Sequence, residues 1–223
     1  MDTIILGLYC LGTYLIASLW ETFVHWKLLH CSNKTRLRWK TKGGVYNLLR
    51  RGRFSHNVVH HRATYKENYF VQFRSADGKR QLDGKLNSAS GGRIIINRYG
   101  LTVSSGWEIL GFTGVPAALA AIIGMTLNPL LAVIGIGFSF VPFLLSKYIH
   151  PLLHVQNASQ KIPNVLLVRP IIVQYISYIQ RYHFIHHKRG LCNFNLMPGG
   201  DILLGVARDD SSDAFGGASG SYR

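Results

Sequence analysis

The sequence predicts an all-α, integral-membrane helical bundle with about three spans and an interfacial helix. Two long uncharged blocks, residues 3–20 and 109–146, predict the spans. A turn signal inside the second block divides it into a hairpin. These features indicate one membrane domain at residues 1–205. The tail at residues 206–223 has a composition typical of disorder.

The first block contains eighteen uncharged residues between Asp2 and Glu21. A helix of about this length crosses the hydrocarbon core of a bilayer. The block lacks the basic start and the small-residue cleavage site of a signal peptide, so we interpret it as a retained span.

The second block, residues 109–146, contains 38 uncharged residues. One helix of that length would measure about 57 Å, nearly twice the roughly 30 Å of hydrocarbon. We therefore expect two spans joined by a turn at Asn128 and Pro129. Pro116 and Pro142 lie inside these spans and are expected to kink them.

A fourth apolar segment, residues 165–180, is interrupted by Arg169 and Gln174 and is too polar for a lipid-facing span. We expect an interfacial or bundle-packed helix that has Pro170 at its first position. Residues 70–106 are rich in glycine, serine and charge, and predict a turn-rich polar insertion within the domain.

The formal net charge of +15 is distributed unevenly along the chain. Seventeen of the 25 lysines and arginines fall between Lys27 and Arg98, directly after the first span. A basic loop beside a span is typical of the cytosolic side of a membrane protein, and this explanation needs no nucleic-acid ligand. With this loop in the cytosol, the second span crosses to the outer side and the third span crosses back. Every residue after Lys147 is then cytosolic.

All ten histidines fall in four short clusters, which we number box one to box four in chain order. About 0.4 adjacent histidine pairs are expected by chance, roughly 10×9/223, and two are present. The boxes are HWKLLH (His25, His30), HNVVHH (His56, His60, His61), HPLLH (His150, His154) and HFIHH (His183, His186, His187). In the predicted topology all four lie at cytosolic helix ends or on cytosolic segments.

Helical spacing predicts which histidines share a face. His56 and His60 lie four residues apart and are expected on one face, with His61 turned by about 100° towards a second metal. In box four, His183 is expected to share a face with the next two histidines, as a continuation of the apolar stripe that includes Ile176. In box one the two histidines lie five apart, which requires a helix end or a distortion.

Neutral imidazole suits iron, zinc, copper and nickel. Ten imidazoles exceed the number that one ion can coordinate, so binding of two metal ions is the simplest interpretation. Haem binding and pH sensing are alternatives, but a haem uses only one or two axial histidines.

The order HX4H, HX3HH, HX3H, HX2HH around a transmembrane hairpin resembles the fatty acid hydroxylase/sterol desaturase superfamily of membrane di-iron enzymes. The ending RYHFIHHKRGLCNFNLMPGGDILLG, residues 181–205, is similar to the final box of that family. The second box departs from it, with three residues before its histidine pair where hydroxylases often have two.

The resemblance implies an O2-dependent lipid hydroxylase (a monooxygenase) with two iron ions, although zinc could occupy the isolated protein. It implies an external electron-transfer protein, because the chain has no nucleotide-binding fingerprint and no cysteine cluster. Its implied metal ligands are His25, His30, His56, His60, His61, His150, His154, His183, His186 and His187. No catalytic residue beyond these ligands is implied.

Two alternatives remain open at this stage. One is a desaturase or a sterol/carotenoid-type oxidase of the same superfamily. The other is a non-catalytic metal-binding membrane protein, which is disfavoured because residues 109–146 carry no charge along a transport path.

Overall fold

The computed structural model describes residues 3–65, 75–87, 106–164 and 168–209. This part of the chain is helical and contains no strand. The α-helices are α1 (Thr3–Phe23), α2 (Asn33–Lys40), α3 (Val45–Arg53), α4 (Ala76–Asn87), α5 (Gly106–Leu127), α6 (Pro129–Ser139), α7 (Val141–Leu144), α8 (His150–Leu153), α9 (Arg169–Arg189) and α10 (Gly200–Leu203). Three π-helical segments are π1 (Val24–Leu29), π2 (Phe54–Thr64) and π3 (Leu145–Ile149), and a 3-10 turn occupies Ala158–Lys161.

Three helical stretches are long and apolar enough to cross a membrane, which confirms the predicted number of spans. They are Thr3–Leu29, Ile109–Leu127 and Pro129–Leu153. Among the described residues α9 does not meet the same criteria, in agreement with its prediction as an interfacial or bundle-packed helix. The side of the membrane on which each end lies remains a prediction.

The hairpin turns at the predicted place. The Asn128 side chain accepts a hydrogen bond of 2.9 Å from the amide of Leu130, and Pro129 occupies the first turn of α6, where its missing N–H is no loss. The two hairpin helices pack closely at glycines: a methyl group at Gly124 would collide with the backbone of Ala132. Small residues of this kind allow transmembrane backbones to approach each other.

The two prolines predicted to kink the spans behave differently. Helix α5 continues through Pro116 without interruption. The third span is interrupted at Phe140, a turn residue between α6 and α7, two residues before Pro142. Pro142 has no N–H to donate to the carbonyl four residues earlier, so the regular ladder ends there.

The predicted apolar stripe of α9 is confirmed. Ile176 and Ile179 are fully buried in a core formed with Leu153, and His183 and His186 continue the buried face. The helix begins one residue earlier than expected, so that Pro170 occupies its second position rather than its first. It ends at Arg189, and the next residue, Gly190, has a φ of 75°, which is favourable for glycine, and donates its amide to the carbonyl of His186.

The predicted turn-rich insertion is wrong for residues 76–87, which form α4. Ser75 caps this helix, accepting from the amide of Gly78 at 3.0 Å, and Lys79 pairs with Asp83 one turn later at 2.7 Å. The remainder of the insertion (residues 70–74 and 88–105) lies outside the described residues, as does the tail from residue 210 onward.

Candidate metal centre

All four histidine boxes meet at one end of the bundle. The C-terminal ends of the first and third spans bring boxes one and three together, while π2 and α9 add boxes two and four. Seven of the ten side chains are buried, and His30, His61 and His187 are half-buried. Because this convergence joins residues more than 120 positions apart, it is a property of the fold and not of any local helix.

The first histidine group joins boxes one, two and four. The Nε2 atom of His56 lies 2.7 Å from Nε2 of His25, 3.1 Å from Nε2 of His30 and 3.0 Å from Nε2 of His61. The Nε2 atom of His186 lies 3.1 Å from that of His61. Five imidazole nitrogens therefore surround one point.

The second histidine group joins boxes two, three and four. It contains His60, His154, His183 and His187. The Nε2 atom of His183 lies 3.0 Å from that of His187 and 3.1 Å from that of His154, and His187 lies 3.1 Å from His60. His150, outside this set of four, places its Nε2 3.2 Å from that of His183.

These nitrogen spacings fit a metal ion. Two nitrogens about 2.1 Å from one ion are separated by roughly 3.0 Å when they subtend a right angle, and by roughly 3.4 Å at a tetrahedral angle. The closest separations within the groups, 2.7–3.1 Å, agree with neighbouring ligands of one ion, and all ligand atoms of each group lie within 4.8 Å of one another. Each group could hold a metal ion, and neither contains a carboxylate among the described residues.

The π-helices determine how boxes one and two are divided. Hydrogen bonds from residue i+5 to residue i align residues five apart, and the amide of His30 donates to the carbonyl of His25 at 3.0 Å. This is the distortion that the spacing of box one required. In π2, the same geometry places His56 and His61 in the first group and His60 in the second. The rings of His56 and His60 still lie side by side, as their spacing predicts, but their nitrogens belong to different groups.

Helix α9 divides box four by ordinary α-helical geometry. His183 and His187 are four residues apart and both belong to the second group. His186 belongs to the first group, although it shares the buried face of the helix with His183 as predicted. The expectation that one box supplies nitrogens to two neighbouring sites is met by boxes two and four alike.

Histidine rings of the two groups are in direct contact with each other. The rings of His61 and His187, one from each group, have centroids 4.1 Å apart. The rings of His56 and His60 lie 5.4 Å apart and are nearly parallel. Ions held in both groups would therefore be close neighbours.

Backbone carbonyls orient two of the rings. The Nδ1 atom of His186 lies 2.7 Å from the carbonyl oxygen of Cys192, and Nδ1 of His25 contacts the carbonyl oxygen of Phe194. A carbonyl only accepts, so Nδ1 carries the hydrogen and Nε2 keeps its lone pair for the centre of the group. Both carbonyls belong to residues 190–200, which we name the carbonyl loop.

Glu21 anchors the carbonyl loop. Its carboxylate accepts hydrogen bonds from the amides of Leu196 at 2.9 Å and Met197 at 3.1 Å. Only 3% of Glu21 is exposed, so these two bonds replace its lost hydration. It therefore supports His25 indirectly, through the loop that presents the Phe194 carbonyl.

A buried polar network completes the anchor. Asn195 donates to the carbonyl of Ser18 at 2.8 Å, and Thr22 donates to the carboxylate of Asp201 at 2.9 Å. The hydroxyl of Tyr182 also donates to Asp201, at 2.9 Å. Sequence reasoning did not single out Ser18 or Thr22. The available signal was their spacing with Glu21, which makes a polar stripe on an otherwise apolar helix.

Burial keeps the imidazoles neutral. Desolvation, reinforced by the neighbouring His187, holds the pKa of His60 and His183 well below the ordinary 6.5. Burial lowers the pKa of His186 to about 4, opposed by its bond to Cys192. Neutral imidazole is the form that binds metals, so near neutral pH protons do not compete for these nitrogens.

Tyr65 is a neighbour that sequence reasoning missed. Its ring stacks on His154 with centroids 4.0 Å apart and lies 5.2 Å from His60. Burial raises its pKa to about 12, so the phenol is protonated. Its position directly after box two was the only signal in the sequence.

Comparisons with known proteins do not assign this chain to a family. No family model, no curated protein and no solved structure matches this chain. Membership of the family that the histidine boxes resemble therefore stays a prediction.

Proposed function

We propose that this chain is a membrane oxidoreductase that hydroxylates a C–H bond of a fatty acyl or other lipid substrate, using O2 and two histidine-ligated iron ions. The observation that carries the proposal is the pair of histidine groups, in which nine Nε2 atoms converge on two points. The two groups are in contact through the rings of His61 and His187. Iron is chosen over the other metals that imidazole accepts because of the resemblance of the four boxes.

The overall reaction balances with an external reductant. One oxygen atom enters the C–H bond and the other leaves as water, which takes up two electrons and two protons. When bound, the iron pair supplies the redox chemistry that activates O2. The chain holds the rings in place through the Phe194 and Cys192 carbonyls, and its apolar spans admit a lipid laterally.

The electrons are proposed to come from an acidic electron-transfer protein that docks on the basic histidine end. The described basic residues on this side include Arg36, Arg38 and Lys40 of α2, all exposed. Positive charge of this kind steers an acidic partner and loses its effect as salt increases. By the positive-inside rule we expect this end to lie in the cytosol.

The test combines metal analysis with oxygen uptake. We expect about two irons per purified chain, and lipid-dependent O2 consumption once reductant and carrier are added. His60→Ala and His186→Ala should each lower the iron content and abolish turnover without affecting membrane insertion. Tyr178→Ala is the matched control, because it removes an exposed ring from the helix that carries His186.

Each alternative has its own outcome in this experiment. Weak, exchangeable metal with no oxygen uptake would indicate a metal-binding protein and refute the oxygenase. An unsaturated rather than hydroxylated product, detected by mass spectrometry, would indicate a desaturase or a sterol/carotenoid-type oxidase. Wild-type turnover in either histidine variant would remove that residue from the ligand set.

A further inference from the structure

A cavity of about 300 Å³ opens onto the histidine groups. His30 and His61 of the first group and His187 of the second form part of its wall, so a molecule in the cavity reaches both groups. The rest of the wall includes four basic side chains: Arg53, Arg62, Lys188 and Arg189. A small cavity that combines histidine ligands with this much positive charge is suited to an anion.

Arg53 is the strongest indication of such an anion. Only 7% of it is exposed, yet its two hydrogen bonds go to neutral acceptors: the carbonyl of Cys31 at 3.0 Å and the amide oxygen of Asn33 at 3.3 Å. Within the described ranges, no carboxylate forms an ion pair with Arg53 or Arg62. A buried guanidinium is costly without an anionic partner, and its five N–H groups exceed the two bonds it makes.

We propose that this cavity binds the anionic headgroup, carboxylate or phosphate, of an amphiphilic substrate. The assignment of the occupant as substrate rests on the proposed function; the binding of an anionic amphiphile does not. The headgroup pairs with Arg53 and Arg62, and the carbons next to it face the two histidine groups. Oxidation then occurs close to the headgroup and not at the far end of the chain.

Size and depth favour a headgroup over a docked protein. The volume is at the lower end of the roughly 300–1,000 Å³ of small-molecule sites and suits a compact group. His30 follows directly on the first span, which ends at Leu29, so the cavity lies where a membrane's headgroups meet its acyl chains. An amphiphile can then keep its tail in the bilayer while its headgroup occupies the cavity.

Binding is tested on the metal-free, full-length protein in detergent, by calorimetry with four probes: octyl phosphate, octanoate, octanol and inorganic phosphate. We expect both anionic amphiphiles to bind at least about tenfold more tightly than octanol, because each charge-assisted hydrogen bond contributes to their affinity. Inorganic phosphate should bind more weakly than octyl phosphate, since it has no tail to place in the apolar region.

Three variants locate the site. Arg62→Gln, at an exposed position, should weaken octyl phosphate binding about tenfold without affecting the fold. Arg53→Gln should weaken it at least as much, and circular dichroism checks its folding. Arg38→Gln removes the same charge from exposed α2, away from the cavity, and should change affinity less than about twofold.

Three results would overturn the proposal: equal affinity for octanol and octyl phosphate, unchanged affinity in Arg62→Gln, or inorganic phosphate binding as tightly as octyl phosphate. The last result would assign the cavity to a free anion. A result that refutes the proposed function can be distinguished from a result that refutes anion binding. Intact, arginine-dependent amphiphile binding in a protein with no iron and no oxygen uptake refutes the oxygenase alone.

Discussion

At the scale of single residues, the important contacts are those that decide which nitrogen of a ring faces the centre of its histidine group. His25 and His186 each engage a carbonyl of the carbonyl loop through Nδ1, which leaves Nε2 as the ligand. Glu21 holds the same loop by two of its amides. The orientation of a ligand in box one thus depends on a carboxylate that touches no ligand nitrogen.

Glu21→Gln should therefore loosen the metal centre. The amide keeps one acceptor oxygen but presents N–H groups to the second loop amide, and one unsatisfied buried group costs about 1–3 kcal/mol. Disturbing support of this kind lowers metal affinity by roughly 10- to 100-fold. Thermal unfolding of the metal-free protein and its iron content after dialysis measure the two effects.

Asp83→Asn is the control for this substitution. It makes the same chemical change in a partly exposed i,i+4 ion pair with Lys79, where the expected loss is about 0.5 kcal/mol or less. Iron retention equal to wild type in Glu21→Gln would show that the loop does not orient His25.

At the scale of elements, the π-helices allow boxes one and two to serve a metal centre. Both boxes contain ligands five residues apart, which an α-helix would turn about 140° away from each other. The i+5 hydrogen bonds of π1 and π2 bring them onto one face. In π2 this geometry places His56 and His61 in one group although four residues separate them.

Deletion of Val58 tests this reading of π2. Without that residue His56 and His61 are four apart, and an α-helical turn should keep both in the first group while His60 still faces the second. We expect iron content and oxygen uptake to be largely retained. Insertion of an alanine after Val58 should instead lose both, because neither helix type then aligns the pair.

The opposite pattern would contradict this interpretation. If the deletion loses its iron and the insertion keeps it, the π-helical spacing is not what divides box two. Membrane insertion of both variants provides the control for correct folding.

At the scale of the whole molecule, the hairpin places all ten histidines at one end of the bundle. The first span and the third both end there, and the turn at Asn128 lies at the other end. Two exposed positions mark these ends: Lys40 in α2 and Thr126 beside the turn.

Cysteines at these two positions should be labelled from opposite sides of the membrane. In oriented vesicles, a membrane-impermeant maleimide is expected to reach Lys40→Cys from the cytosolic side and Thr126→Cys from the other. The parent protein, whose cysteines are buried or half-buried, is the control. Labelling of both from one side would refute the three-span topology, and a reversed pattern would refute the orientation alone.

Metal removal should destabilise the whole domain. Ions bound only by the folded state raise its stability, and the two groups link the C-terminal ends of the first and third spans to π2 and α9. A chelator is expected to lower the melting temperature, and added Fe²⁺ should restore it. Ca²⁺, which prefers oxygen ligands, should not. An unchanged melting temperature after complete removal of metal would contradict a structural contribution from the ions.

Local composition and spacing were enough to predict much of this protein. An uncharged run determines a span, Asn128-Pro129 determines a turn, and a stripe of isoleucines determines the buried face of α9, because each depends on residues within one or two helical turns. The ten histidines were recognised as one set for the same reason: their clustering can be read directly from the chain.

The tertiary structure decided the division of that set and its surroundings. His186 meets His61 across 125 positions and His187 meets His60 across 127, and the spacing within one helix does not specify such partners. The anchoring of the loop by Glu21 and the placing of Arg53 beside the histidines likewise depend on packing between distant helices. The spacing of side chains along the sequence determines the direction in which each one points from its own helix. Which helices pack against one another is determined by burial of the apolar surface of the whole molecule.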